Sequence, residues 1–123
     1  MNLIRSAEAP VFTLPGLTVT GLASPRRGAT ETCVWRVQLA PGTAGVPHQV
    51  TREEIFVGVK GEAVVSLDGI ERALGPGDAV IVPPHTPFSL ANRSSEPFEA
   101  VVSFPVGGKA VTNAEPFTPP WAE

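Results

Sequence analysis

The sequence predicts a single all-β domain built from antiparallel strands. Its 123 residues are enough for one hydrophobic core. The composition combines 42% hydrophobic residues, typical of a globular protein, with 14 prolines and 12 glycines, which require many turns and short elements. Several segments also alternate apolar and polar residues with the period of two expected of half-buried strands, and no segment has a convincing helical period.

The strongest alternation lies in Thr32–Leu39. Residues two apart on a strand share a face, so the apolar side of this segment should face the core. That side carries Cys33, Trp35, Val37 and Leu39.

A hairpin is predicted from Glu62–Leu67 and Ile70–Leu74. The two segments flank Asp68-Gly69, and both residues tolerate the positive φ angles that a two-residue hairpin turn requires. Two further strands are expected, a continuous apolar one at Ala79–Val82 and an alternating one at Phe98–Phe104.

An N-terminal arm, residues 1–30, precedes this region. It contains two short predicted strands, Val11–Leu14 and Leu17–Leu22, around Pro15-Gly16. The arm could extend the barrel of its own chain or cross to a partner.

A C-terminal tail, residues 105–123, follows the predicted barrel of residues 31–104. Its prolines and glycines predict no regular structure, whereas Phe117 and Trp121 can still be buried. We therefore expect a tail pinned to the barrel surface, and we assign residues 1–123 to one domain.

Charge and cysteine content argue against several classes of function. A net charge of −3 and a pI near 5.4 leave no basic face for a phosphate backbone, so nucleic acid is not an expected partner. Cys33 is the only cysteine, which rules out an intrachain disulfide. Met1–Pro10 contains Arg5 and Glu8 and no continuous apolar run, so we expect neither a signal peptide nor a membrane span and predict a soluble cytoplasmic protein.

The segment from Gly42 to Gly61 resembles the first motif of the cupin superfamily. Gly42, His48, Glu54 and Gly61 stand where the family has glycine, histidine, glutamate and glycine, but Val50 replaces the family's second histidine. The resemblance implies a cupin-type double-stranded β-helix, which is a jelly-roll barrel of antiparallel strands.

A second segment is similar to the second cupin motif. It runs from Gly77-Asp78 through Pro83-Pro84 to Asn92, and Phe88 stands where the family has its third metal-binding histidine. His85 replaces a turn glycine of the family. A displaced ligand or a general acid at the barrel mouth is one interpretation of His85, but we favour an exposed turn residue, because histidine tolerates unusual backbone angles.

His48 and Glu54 are the candidate catalytic residues. The resemblance implies that both face the barrel interior, where a typical member places three imidazoles and a carboxylate around a transition metal. Two protein ligands compete poorly with water for a metal, so we assign no metal site. Binding of a divalent transition metal by His48 and Glu54 is kept as an alternative. Without metal, the carboxylate could tune the imidazole for proton transfer, or the two could form a purely structural polar pair.

An apolar internal pocket with one polar corner is predicted, because Val50 and Phe88 replace the missing ligands. Such a pocket would suit a small apolar or aromatic molecule. Alternatively, the same side chains fill the barrel as core. The predicted pocket residues are Trp35, Val37, Val50, Phe56, Phe88 and Leu90.

These features leave several functions open. The first is a small-molecule enzyme, either an isomerase, epimerase or cyclase that uses His48 with Glu54, or a metal-dependent oxygenase with an incomplete ligand set. The second is a non-catalytic binding or sensing module, and the third is a degenerate subunit that contributes a dimer surface. We favour a cupin of small-molecule metabolism.

A homodimer is predicted from the segment that begins at Glu54. If Glu54 faces inward, Ile55, Val57 and Val59 face outward and form an apolar patch that soluble monomers generally avoid. The arm, the tail or a second copy could cover this patch, and the pairing of sheets that is common among cupins favours the second copy.

Overall fold

A computed structural model describes residues 2–123, and Met1, the first residue of the predicted arm, lies outside them. The described chain is mostly β, as predicted. Its three helical segments are 3-10 turns of three residues each, and no helix in residues 2–123 has the length and apolarity to cross a membrane. The strands are β1 Val11–Leu14, β2 Leu17–Ala23, β3 Thr32–Leu39, β4 Gln49–Val50, β5 Glu54–Lys60, β6 Ala63–Leu67, β7 Ile70–Leu74, β8 Ala79–Val82, β9 Phe88–Ala91, β10 Phe98–Pro105 and β11 Ala110–Val111.

The strands form two main antiparallel sheets and a short ribbon. The larger sheet has the order β1-β2-β3-β10-β5-β8, and the smaller sheet has the order β7-β6-β9. Strands β4 and β11 pair separately. The inner faces of the sheets enclose one core in the jelly-roll arrangement. In these strand orders β7 and β8, which are consecutive in the chain, each form an edge of a different sheet.

The core is built from the alternating faces of β3 and β10. Each of the four apolar residues predicted to face inward from β3 is at most 6% exposed, which confirms that prediction. On β10, which pairs with both β3 and β5, every second residue is likewise buried. The buried residues of β10 are Phe98, Ala100, Val102 and Phe104.

The predicted hairpin is present as β6 and β7. Asp68 and Gly69 have φ angles of 52° and 82°, which are the left-handed values that a two-residue turn of this kind needs. The turn sets the register in which Leu67 faces Ile70 and Val65 faces Arg72. This register decides which side chains of β7 point into the molecule.

The N-terminal arm extends the larger sheet of its own chain. Strand β2 pairs antiparallel with β3, and β1 completes the edge. Val19 at the middle of β2 is fully buried. The arm therefore contributes to the core of the same chain, which was one of the two alternatives left open by the sequence.

The tail is more regular than predicted. Residues Ala110–Val111 form β11 against β4, and Pro120–Ala122 form a 3-10 turn. Proline excludes a long ladder, but a two-residue strand between prolines needs only a few backbone hydrogen bonds. Trp121 packs against Trp35 and pins the end of the tail, whereas Phe117 is 43% exposed and does not have the burial we considered possible.

The outer face of β5 is apolar, as predicted. Glu54 and Phe56 are buried, whereas Val57 and Val59 are 38% and 49% exposed. Ile81, on the neighbouring strand β8, lies on the same face and is 56% exposed. The described chain thus leaves an apolar patch on its larger sheet.

Candidate functional site

His48 lies immediately before β4, at the rim of the barrel. Reciprocal backbone hydrogen bonds join His48 to Phe88, at 3.0 and 2.9 Å, and the two ring centroids are 4.3 Å apart. The imidazole Nδ1 lies 2.9 Å from the carbonyl oxygen of Val46. A carbonyl can only accept, so Nδ1 carries the proton, and Nε2 of the neutral ring is left as an acceptor.

Glu54 begins β5 and points into the barrel. Its strand partner is Val82, which is fully buried, and Glu54 itself is only 5% exposed. Burial disfavours the charged carboxylate and raises the pKa of Glu54 to about 8. Glu54 is therefore mostly a neutral carboxylic acid at pH 7.

The Glu54 carboxyl group has no hydrogen-bond or ion-pair partner within residues 2–123. Every side-chain oxygen or nitrogen of those residues that is sealed from solvent does have a partner. The carboxyl group must therefore retain a small opening to solvent. A buried acid that lacks a protein partner can form its hydrogen bonds with water or a ligand.

The structure does not join His48 directly to Glu54. No hydrogen bond or ion pair between them occurs in the part of the chain that is described. Phe88 contacts His48 on one side and Phe56 on the other, with a centroid separation of 5.9 Å from the Phe56 ring. That the two polar residues share one small cavity stays a prediction.

The predicted pocket residues come together as tightly packed core. Five of the six are between 2% and 6% exposed and belong to one cluster, and Leu90 is half-buried against it. Val50 and Phe88, which stand at the motif positions of the family's second and third metal-binding histidines, belong to this packed cluster. The five are Trp35, Val37, Val50, Phe56 and Phe88.

The donors present do not fit a cupin metal centre. Residues 2–123 contain no group of three or more histidine, cysteine, aspartate or glutamate side chains placed to hold one ion. His48 and Glu54 supply one imidazole and one carboxyl group, fewer than the three protein ligands usual in a catalytic metal site. His85 is exposed, has a φ of 58°, and donates its backbone N–H to the Val50 carbonyl at 2.8 Å, which agrees with our interpretation of a turn residue.

A cleft that the sequence did not lead us to expect opens between β7 and β8, with a volume of about 510 Å³. Arg72 is the functional candidate that was missed. The predicted hairpin register already placed Arg72 opposite the inward-facing Val65, so this signal was available. The cleft is lined by Val65, Leu67, Ile70, Arg72, Ala73, Leu74, Asp78, Ala79 and Val80.

Solved structures share this architecture. The polyketide cyclase RemF from Streptomyces resistomycificus aligns with a TM-score of 0.82 at 16% identity, over 94% of this chain and 87% of the other. KdgF from Halomonas sp. aligns at 0.67 and 27% identity, over 82% and 91% of the two chains. A cupin-superfamily sugar phosphate isomerase from Silicibacter pomeroyi aligns at 0.66 and 21% identity, over 81% and 68%. At 16% and 21% identity, the likeness to RemF and to the isomerase shows a shared fold.

Sequence comparison identifies the family. A search of curated proteins finds no significant match. The family model described as "Cupin domain" matches residues 35–104, which include both motifs and more than half of the chain. The chain belongs to the cupin family.

Proposed function

We propose that this cupin is a small-molecule isomerase, epimerase or cyclase in which Glu54 acts as the proton donor. The observation that carries the proposal is the buried Glu54 carboxyl group, which has no partner within residues 2–123 and has a pKa of about 8. A group with a pKa near the working pH can give up a proton and regain it with little free-energy cost. Glu54 thus has the property expected of a general acid.

His48 supplies the complementary base. Its Nε2 accepts a proton from a carbon beside a substrate carbonyl, while Glu54 gives its proton to the carbonyl oxygen and the enol forms. In the reverse step the imidazolium returns a proton to carbon and the enol hydroxyl returns one to Glu54. This enolisation is a shared elementary step in many isomerisations, epimerisations and aldol-type cyclisations.

The lack of a direct His48–Glu54 contact favours this arrangement. An acid and a base that were bonded to each other would neutralise each other, whereas separated groups can act on two atoms of one substrate. The apolar surroundings would also strengthen a hydrogen bond from Glu54 to a substrate oxygen. The proposed substrate is a small apolar or aromatic carbonyl compound, which matches the apolar residues around Glu54.

The comparisons support a single barrel of this size as sufficient for such chemistry. RemF, a polyketide cyclase, and this chain cover most of each other's length. A sugar phosphate isomerase also shares the fold. Identities of 16% and 21% indicate a shared fold and no more, so the reaction class proposed for this chain is based on Glu54 and His48.

Proton exchange tests the proposal without knowledge of the natural substrate. The protein is incubated in D₂O with the aromatic ketone 2-tetralone, and deuterium uptake at the carbons beside the carbonyl is followed by NMR. Glu54→Gln and His48→Gln should each slow the catalysed exchange by ~100-fold or more. Glu53→Gln, one residue away on the exposed side, should leave the rate unchanged.

The proposal fails if the wild-type protein does not accelerate exchange, or if Glu54→Gln exchanges as fast as the wild-type protein. A non-catalytic binding module is the second candidate, favoured by Val50 and Phe88, which stand in place of two polar ligands of the family. Saturable binding of 2-tetralone without any exchange would indicate that alternative. A metal-dependent oxygenase is not favoured, because the donors do not fit.

A further inference from the structure

The cleft between β7 and β8 is open to solvent along part of its lining. These strands are the edges of the two sheets, so their facing edges are not paired with each other. At the end of β7 next to the connecting turn, Leu74 is 2% exposed, whereas Ile70 at the other end is 58% exposed. Ile70, Arg72 and Ala79 of the lining are exposed, so a ligand can reach the cleft from solvent.

Arg72 points into this cleft. Directly opposed residues of an antiparallel pair lie on the same face, and Arg72 is opposite Val65, which is 4% exposed and belongs to the inner face. The walls around Arg72 are largely apolar, with Leu67 from β6 and Val80 from β8. Arg72 is the only cation among the residues that line the cleft.

The Arg72 guanidinium keeps most of its donors available. Its Nη1 donates to the backbone carbonyl of Glu71 at 3.0 Å, and no carboxylate within residues 2–123 pairs with it. The carboxylate of Glu71 is held by Arg93 at 2.7 Å. Asp78, the other charged residue of the cleft, accepts a hydrogen bond from the Gly75 backbone N–H at 3.0 Å.

We propose that this cleft is a binding site for a small monocarboxylate with an apolar or aromatic body. The planar guanidinium of Arg72 matches a carboxylate, and Leu67 and Val80 match the body. A single cation with Asp78 nearby disfavours phosphates and other multiply charged anions. A volume of about 510 Å³ lies within the range of small-molecule sites.

This site is separate from the chemistry proposed for Glu54. None of the lining residues is His48 or Glu54, although the two regions are neighbours. Phe56 is the strand partner of Val80, and Phe88 is the strand partner of Leu67, so the same aromatic pair borders both. Ligand binding at the cleft is a different activity from the proton transfer proposed for Glu54, and it can be measured without any reaction taking place.

Calorimetric titration with 2-naphthoate tests the proposal, and its neutral analogue 2-naphthamide serves as the comparison ligand. Arg72→Gln should weaken 2-naphthoate binding by ~10-fold, which is typical of losing a partly exposed charged hydrogen-bond partner, and should barely change 2-naphthamide binding. Arg5→Gln removes the same charge from an exposed position of the N-terminal arm, outside the cleft, and should leave both affinities within about twofold, the effect of a distant exposed charge. Ile70→Glu, at an exposed position of the lining, should reduce 2-naphthoate binding by repulsion.

Circular dichroism and the thermal midpoint establish that each variant is folded. Backbone amide shifts induced by 2-naphthoate should concentrate on β6, β7 and β8. The proposal is overturned if the wild-type protein shows no saturable binding, if Arg72→Gln binds equally well, or if the shifts concentrate around His48. It is also overturned if affinity falls as protein concentration rises, because a second copy would then be the occupant of the cleft. The Glu54→Gln protein should bind 2-naphthoate normally, so this test is independent of the proposed reaction.

Discussion

Replacing Glu54 with glutamine should remove most of the pH dependence of stability between pH 5 and pH 7. Glu54 is 5% exposed, and its pKa of about 8 in the folded chain lies above the ordinary value of 4.5. Between these two values the folded state holds a proton that the unfolded state releases. The stability from this proton is fully present below pH 4.5 and is lost as the pH rises through about 8.

The expected size follows from proton linkage. Where one state is protonated and the other is not, the free energy of unfolding changes by about 1.4 kcal/mol per pH unit. From pH 5 to pH 7, Glu54 should therefore lower the stability of the wild-type protein by roughly 2–3 kcal/mol. For a domain of this size the thermal midpoint would fall by about 10 °C. Glutamine has nearly the same shape and no proton to release, so Glu54→Gln should lack this decrease.

Urea unfolding at pH 5, 6 and 7 measures the effect, with Glu53→Gln as the matched control. Glu53 is exposed and next to Glu54 in sequence, so its replacement removes a carboxylate without changing the core. All other side chains are the same in the wild-type protein and in Glu54→Gln, so the difference between the two reports on Glu54. A stability gap between Glu54→Gln and the wild-type protein that stays constant from pH 5 to pH 7 would refute the reasoning. The Glu71–Arg93 pair lowers the pKa of Glu71, so its contribution is lost on acidification below pH 4.5 and lies outside this range.

Two further predictions concern the apolar outer face of β5 and the C-terminal tail. Val57→Glu places a charge in the apolar patch and should convert the proposed homodimer into a monomer in analytical ultracentrifugation. The control Val46→Glu, in an exposed loop, should stay dimeric. A wild-type protein that sediments as a monomer would contradict the dimer. Trp121→Ala should lower the free energy of unfolding by ~2 kcal/mol, because it removes aromatic contacts with Trp35 and Phe12. Phe117→Ala, at an exposed position of the same tail, should cost less than ~1 kcal/mol, and equal losses would show that the tail is not pinned by Trp121.

The sequence predicted the long strands well, because one face of each must be buried. Trp35 and its alternating neighbours could occupy the inner face in only one register, since a slip of one residue would expose them all. No sequence pattern indicated β4 or β11, because two residues are too few to establish a period. Their pairing depends on where the rest of the fold places them, which local sequence does not record.

The sequence predicted which residues form the candidate site, but not the contacts that these residues make. Motif spacing indicated His48 and Glu54, yet their contacts depend on how the loop before β4 turns His48 toward the Val46 carbonyl. Arg72 was overlooked because a charged residue in an alternating strand is ordinarily assumed to face solvent. The Asp68-Gly69 turn sets the register that pairs Arg72 with Val65, and Val65 is buried. Only these two observations together show that the Arg72 side chain lies on the inner face.

The two departures from the cupin motif help to explain the state of Glu54. Val50 and Phe88 stand where imidazoles would solvate a carboxylate or share a cation with it, and both are 2% exposed in this core. Apolar neighbours desolvate Glu54 and favour its protonated form. Apolar residues in place of two of the family's metal-binding histidines would therefore favour an acid over a metal ligand at Glu54. Val50→His should accordingly bring the pKa of Glu54 down, because a protonated imidazole on the same inner face would favour the carboxylate.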